Sequence, residues 1–443
     1  MFRRRSLLLV SIAAAVLLAA PSVVLAQYGG EGSGQPAAEK KQEKKKEKKK
    51  RRWGKGDDDD KGKAWQHRHE IDPRTGKRLI EARELVSAED YDGASKALGK
   101  LRLKSLNPLE KARVYQISAF ISFGRGDLPG ARANLEKTLA ENILEPSEAA
   151  DLRFQIAQLW MQEENWAETA KNLELWLTME ENPNPSSYYM LALTYYQLED
   201  FDKALVPARQ AVELSKEPRE SWLQLVLAIL LTRKDYEASV PVIEELVTRF
   251  PKKAYWLNLS TVQGVLGNYE EALVPLQLAY TQGLLTSDAE LRRLAQLLLF
   301  LDLPYRSAKV MQQGLDEKQI ESDSSAWEML SNSWIAAREF DKAVAPLQRA
   351  ADLAKGGDLY VRLAQVHIQR EKWQEAAAAL SQAIDKGGLD NPGDAQLLMG
   401  IAYYSQKRPE RARTWFARAR KHDATRQEAD TWLRHIEREA QSG

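Results

Sequence analysis

A short pattern recurs ten times along the chain, at intervals of 33 to 38 residues. Each copy is predicted to contain two helices, and we call the first residue of the second helix its opener. The openers are Tyr91, Leu128, Trp166, Phe201, Tyr236, Tyr269, Tyr305, Phe340, Trp373 and Pro409. In residues 187–212, apolar side chains recur every 3.6 residues on both sides of Asp200, which can cap a helix. One copy therefore encodes a helical hairpin. A lone hairpin cannot bury its apolar face, so the copies must stack on each other.

Small residues accompany the openers at two fixed distances. Ala, Ser or Thr stands three residues after every opener, and Ala, Ser or Gly stands nine residues before seven of them. Small side chains at both points let the two helices of a hairpin approach closely. We expect the larger apolar residues to fill the space between hairpins.

Four of the predicted second helices contain a proline at nearly the same phase: Pro207, Pro241, Pro275 and Pro346. An interior proline removes the hydrogen bond to the residue four positions earlier and bends a helix. We predict a built-in bend at these four positions. The alternative is that each proline lies in the first turn of its helix.

The period and pattern resemble the tetratricopeptide repeat (TPR). The last copy fits the TPR sequence signature closely, with Met399, Gly400 and Tyr403 on the first helix and Ala412 and Phe416 on the second. The resemblance implies an all-α fold, a right-handed superhelical solenoid of about ten hairpin repeats over residues 71–424. Residues 425–443 are predicted to add a capping helix and tail, with Trp432 and Ile436 on its apolar face.

TPR solenoids bind an extended or helical peptide in a concave groove that their first helices line. Three groove phases lie twelve, eight and five residues before the opener, and we call them the groove row. The resemblance implies these groove residues: Gln116, Phe120, Phe123, Phe154, Gln158, Met161, Tyr189, Leu193, Tyr196, Gln224, Arg293, Asn332, Gln365 and Tyr404. The alternative for each is packing against the neighbouring repeat. The family's Lys and Arg clamp for a carboxylate terminus is not reproduced.

The first 26 residues have the features of a secretory signal peptide. Arg3, Arg4 and Arg5 precede the apolar stretch 7–20, and Val24 and Ala26 are small residues before a cut at Gln27. The alternative is an uncleaved membrane anchor. We expect a periplasmic protein, secreted through a cleavable signal.

A charged linker follows at residues 27–70, with too few apolar side chains to fold. Residues 1–70 contain 17 Lys and Arg against 9 Asp and Glu, whereas the rest of the chain contains 47 against 54. The Lys-rich arm is interpreted as a solvated linker. The alternative is an electrostatic tether to a membrane surface or to the cell wall. Nucleic acid is not expected as a partner of an exported protein.

No pattern indicates catalysis. The chain lacks cysteine, and its five histidines are scattered. There is no nucleophile motif and no phosphate-binding glycine loop. We therefore expect no enzyme activity, no cofactor and no metal site. His367 replaces a first-helix tyrosine, which predicts a half-buried core histidine.

Three stretches, residues 251–260, 278–285 and 287–315, resemble exported TPR proteins associated with bacterial TonB systems. In those systems the ExbB–ExbD motor drives TonB, which energises nutrient uptake across the outer membrane. The resemblance implies a periplasmic adaptor whose groove binds a TonB-type protein or another envelope protein. The alternative is a scaffold for envelope assembly or division that binds peptidoglycan or polysaccharide-export machinery.

Overall fold

The computed structural model describes residues 70–442, so the predicted signal peptide and nearly all of the charged linker lie outside it. The described residues form 21 α-helices and one short 3-10 helix, with no β-strand among them. The predicted all-α hairpin fold is confirmed. Within this part of the chain, no helix is both long enough and apolar enough to cross a membrane.

The chain divides into two compact units at Asp235. The described part of the first unit contains a 3-10 turn at Leu103–Ser105 and nine helices: α1 (Pro73–Ser87), α2 (Tyr91–Gly99), α3 (Pro108–Gly124), α4 (Leu128–Ala140), α5 (Pro146–Gln162), α6 (Trp166–Leu177), α7 (Pro185–Gln197), α8 (Phe201–Glu213) and α9 (Glu220–Thr232). Consecutive helices pair as antiparallel neighbours, and α7 also contacts α9, the next first helix.

The second unit begins at Tyr236. Its helices are α10 (Tyr236–Arg249), α11 (Lys253–Val265), α12 (Tyr269–Thr281), α13 (Asp288–Phe300), α14 (Pro304–Asp316), α15 (Ser324–Ala336), α16 (Phe340–Leu353), α17 (Asp358–Gln369), α18 (Trp373–Lys386), α19 (Pro392–Ser405), α20 (Pro409–Ala419) and α21 (Arg426–Ser442). Within this unit, each helix packs on the helices next to it in sequence.

The predicted register matches the helix boundaries. Nine of the ten openers are the first residue of a helix, and Tyr305 is the second residue of α14. Every small residue three positions after an opener is buried. In one hairpin the two small positions face each other, because the Ser331 hydroxyl donates to the Ala343 carbonyl at 3.0 Å. Close approach of paired helices therefore depends on these small side chains.

The turn inside each hairpin uses a left-handed residue two positions before the first residue of the second helix. Gly126 and Gly267 supply it in two repeats, but the other eight use a residue such as Glu199, with φ 58°. The chain then enters the second helix through a cap, and the Asp200 side chain accepts from the Lys203 backbone N–H, as predicted. Glycine is therefore a poor marker of these turns.

Pro207, Pro241, Pro275 and Pro346 lie inside α8, α10, α12 and α16, at the sixth or seventh helical position. The alternative placement in a first turn is wrong. Each proline lacks the N–H group that would bond to the carbonyl four residues earlier. The residues that carry these carbonyls, such as Lys203 and Lys342, have exposed side chains. The bend at these positions stays a prediction.

The last helix, α21, packs on α20. Phe416 of α20 is fully buried, and its ring stacks on Trp432 with centroids 5.4 Å apart and an interplanar angle of 3°. Ala429 and Ile436 are buried in the same cluster. The apolar face of α21 therefore covers the second helix of the tenth hairpin.

Candidate functional site

The groove row is partly open on the first unit. Phe123, at the end of α3, is 44% exposed, and Gln224 of α9 is also exposed. Gln116, Phe120 and Gln158 are half-buried. These five residues remain candidates for contact with a partner.

Three predicted groove residues are buried, which agrees with the alternative of packing between repeats. Met161 and Leu193 are about as buried as core residues, and Tyr189 is only 6% exposed. The Tyr189 ring stacks on Trp222 of α9, with centroids 5.8 Å apart, and its burial raises the pKa of its hydroxyl. Because α7 and α9 touch, bulky residues at this register fill the interface between repeats.

Two further aromatic residues of the row have partners within the protein. Phe154 lies 4.7 Å from the Trp176 ring, and Tyr196 contacts Phe201 edge to face at 5.4 Å. Both are half-buried. One side of each ring is occupied, which fixes its orientation and limits the surface that a partner can reach.

Gln116 belongs to a polar bridge between repeats. Arg113 and Gln116 on α3 both donate to Glu148 on α5, and the Gln116 amide does so at 2.9 Å. Partial burial of Glu148 opposes its ionisation, but the hydrogen bonds from Arg113 and Gln116 outweigh that cost and lower its pKa. This bridge ties adjacent first helices together.

The second unit places its row residues in similar bridges. Arg293 of α13 reaches the Ser260 hydroxyl at 3.5 Å, and Asn332 of α15 accepts a hydrogen bond from Arg362 of α17. Gln365 is exposed. Tyr404 of α19 donates to Glu439 of α21 at 2.7 Å, which raises the pKa of Tyr404.

Sequence reasoning missed Phe300, the most exposed large apolar residue among the described residues at 66%. Phe300 stands five residues before the predicted opener Tyr305, as Phe123 stands five before Leu128, but α14 begins at Pro304, so Phe300 lies one position nearer to its second helix than Phe123 does. Its ring contacts the Tyr269 ring of α12 edge to face, with centroids 4.7 Å apart. Applying the groove phases to the seventh repeat in full would have found it.

The arrangement offers binding chemistry. Within residues 70–442 no three His, Asp or Glu side chains are placed to hold a metal ion. The row instead presents aromatic rings and amides on first helices that polar bridges hold in place. Exposed apolar side chains on a rigid scaffold are typical of protein interaction surfaces.

Comparison with known proteins identifies the repeats. Two family models described as tetratricopeptide repeat match the chain, one at residues 185–218 in the first unit and the other at residues 361–429 in the second. No curated protein matches the sequence. The fold is thus a TPR-type scaffold, a kind of structure suited to protein–protein interaction.

Several solved structures are similar in part. A tetratricopeptide repeat protein from Parabacteroides merdae is 13% identical and covers 58% of this chain and 99% of its own, with a TM-score of 0.32. YrrB, a TPR protein with an unusual peptide-binding site, is 20% identical over 41% of this chain and 88% of its own, with a TM-score of 0.32. Naa15/Naa10 bound to HypK-THB is 15% identical over 83% and 61%, with a TM-score of 0.44.

Proposed function

We propose that the chain is a non-enzymatic adaptor that binds a protein partner along its groove row. The observation that carries the proposal is the pair Phe123 and Phe300, which lie within the last two residues of a first helix, one in each unit, and leave 44% and 66% of their surface exposed. Such side chains are suited to anchor a partner, because aromatic residues are enriched among those that dominate the binding energy at interfaces.

We further propose that the adaptor works in the periplasm, in a TonB–ExbB–ExbD system for outer-membrane nutrient uptake. The signal-like residues 1–26 support export. The resemblance of residues 251–260, 278–285 and 287–315 to exported TPR proteins of TonB systems supports the partner. Release of the chain by osmotic shock, with a cytoplasmic marker retained, is the test of its location.

The test of the partner is a pull-down with the periplasmic part of a TonB from the same cell. Phe123→Ala combined with Phe300→Ala should weaken capture about tenfold or more, because both exposed anchors are removed. The matched control is Val206→Ala, which removes a 62% exposed apolar side chain from the second helix α8. No enrichment of TonB, together with normal iron-complex uptake in a deletion strain, would contradict the proposal.

The Lys-rich arm supports a second candidate, a scaffold held at the cell wall or membrane for envelope assembly or division. Residues 27–70 contain 14 Lys and Arg against 9 Asp and Glu, an excess of five basic residues that favours anionic surfaces. Full-length protein should then sediment with purified cell wall, and deletion of residues 39–63 should abolish sedimentation. Retained sedimentation after that deletion would contradict a role for the arm.

A further inference from the structure

A cleft of about 480 Å³ opens on α21 at the C-terminal end of the second unit. Its lining residues are Thr431, Trp432, Arg434, His435 and Arg438. The volume falls within the ~300–1,000 Å³ range of ligand sites. It can admit a few side chains of a peptide.

Packing fixes the wall of the cleft. One face of Trp432 stacks on the fully buried Phe416, and Tyr404 lies 5.2 Å from Trp432. The Tyr404 hydroxyl lies 2.9 Å from His435 Nε2 and donates to Glu439 at 2.7 Å. These contacts hold the aromatic and imidazole rings in place before any ligand arrives.

The two arginine side chains of the cleft have guanidinium N–H groups that can still donate hydrogen bonds to a ligand. Arg434 donates to the Thr431 hydroxyl at 3.3 Å and makes no ion pair with another described residue. Arg438 has no ion-pair partner within residues 70–442 either. Glu439, by contrast, already accepts from Tyr404 and lies 3.5 Å from His435. Since each guanidinium offers five N–H donors and no acceptor, the cleft is matched to carboxylates.

The charge of this end differs from that of the rest of the folded chain. Residues 407–440 contain ten Lys and Arg against six Asp and Glu, whereas residues 71–406 contain 37 against 48. An acidic segment is therefore repelled by most of the protein and attracted to this end. The surplus lies in residues 407–425, which contain seven Lys and Arg against two Asp and Glu, whereas α21 contains three Arg against four Asp and Glu. The mixed charge of α21 disfavours a flat anionic membrane as the ligand.

We propose that this cleft binds an acidic peptide segment of a partner protein. Two Asp or Glu carboxylates pair with Arg434 and Arg438, and an apolar side chain between them lies against Trp432. Bidentate pairing with a guanidinium favours a carboxylate over an uncharged amide. The cleft contains neither Phe123 nor Phe300, and the proposal does not depend on a TonB partner.

The test uses the full chain and a short fluorescein-labelled peptide with blocked termini, in which Glu alternates with Leu and Phe. Fluorescence polarisation should show binding, and Arg434→Gln with Arg438→Gln should weaken it about tenfold or more. The control is Lys407→Gln with Lys421→Gln, which removes the same charge from exposed positions at the same end outside the cleft. It should change the affinity less than about twofold, because screening weakens distant charges.

Three outcomes would overturn the proposal. One is equal binding of a peptide in which Gln replaces every Glu. Another is equal weakening by the two double variants, which would show a general charge effect. The third is that the peptide does not bind, whereas phosphatidylglycerol vesicles bind the full chain and no longer bind the Arg434→Gln, Arg438→Gln variant. The single variant Arg438→Gln changes an exposed residue, so it serves as a control against misfolding as the cause of weaker binding.

Discussion

Helices α7 and α13 expose the groove-row residues of their repeats to different extents. In α7 the row residues Tyr189 and Leu193 are 6% and 7% exposed, whereas in α13 Phe300 is 66% exposed. Tyr189 stacks on Trp222 of the next first helix, whereas Phe300 contacts Tyr269 of the preceding helix edge to face. A place in the groove row therefore does not by itself make a side chain accessible, and the neighbouring helices decide whether a partner can reach it.

The largest effect is expected from two phenylalanines of the second unit. Phe416→Ala should lower the free energy of unfolding by about 3–5 kcal/mol, because a fully buried ring leaves a cavity beneath Trp432. Phe300→Ala should cost less than about 1 kcal/mol, because most of that ring lies in solvent. Chemical denaturation of both variants measures the difference. Similar losses would contradict the exposure of Phe300.

The next effect compares a leucine of α7 with a leucine of α13. Leu193→Ala in α7 should cost about 2–5 kcal/mol, because the side chain is buried. Leu297→Ala in α13 should cost less, because Leu297 is only partly buried against its core. Urea unfolding midpoints provide the measurement. An equal or larger loss for Leu297→Ala would break the contrast between α7 and α13.

Two first-helix glycines should respond with opposite signs. A Cβ at Gly400 would lie 2.5 Å from the Phe416 ring, so Gly400→Ala should cost about 1–3 kcal/mol through overpacking. A Cβ at Gly264 meets nothing within 4 Å, so Gly264→Ala should stabilise α11 by up to about 1 kcal/mol. Thermal unfolding tests both. Stabilisation by Gly400→Ala would contradict the close packing of α19 on α20.

The smallest effect concerns pH. His367 of α17 is buried, and burial, reinforced by Arg370, lowers its pKa despite the opposing charge of Glu375. The unfolded chain then binds the proton more readily, so stability should fall as pH drops below the ordinary histidine value of about 6.5. His367→Phe should flatten this part of the stability profile. An unchanged slope would show that His367 does not produce it.

The repeating architecture could be predicted from sequence because its signals are local. The openers and small residues such as Ala204 repeat at fixed spacing, and they placed nine helix starts correctly. The left-handed turns were missed because Glu199 and its equivalents carry no glycine signal. The burial of Tyr189 and the cleft beside Trp432 depend on contacts between repeats. Such contacts leave no periodic trace in one sequence.

The most direct test of the contrast between closed and open row positions uses the absence of cysteine from the chain. Single substitutions Leu193→Cys, Phe123→Cys and Phe300→Cys, with Val206→Cys as an exposed reference, would be labelled with a maleimide under native conditions. Cysteines at 123 and 300 should react as fast as the reference, and the cysteine at 193 at least about tenfold more slowly, because it needs local opening. Equal rates at 193 and 300 would contradict the assignment of Phe300 to an open binding face and Leu193 to the packed interior.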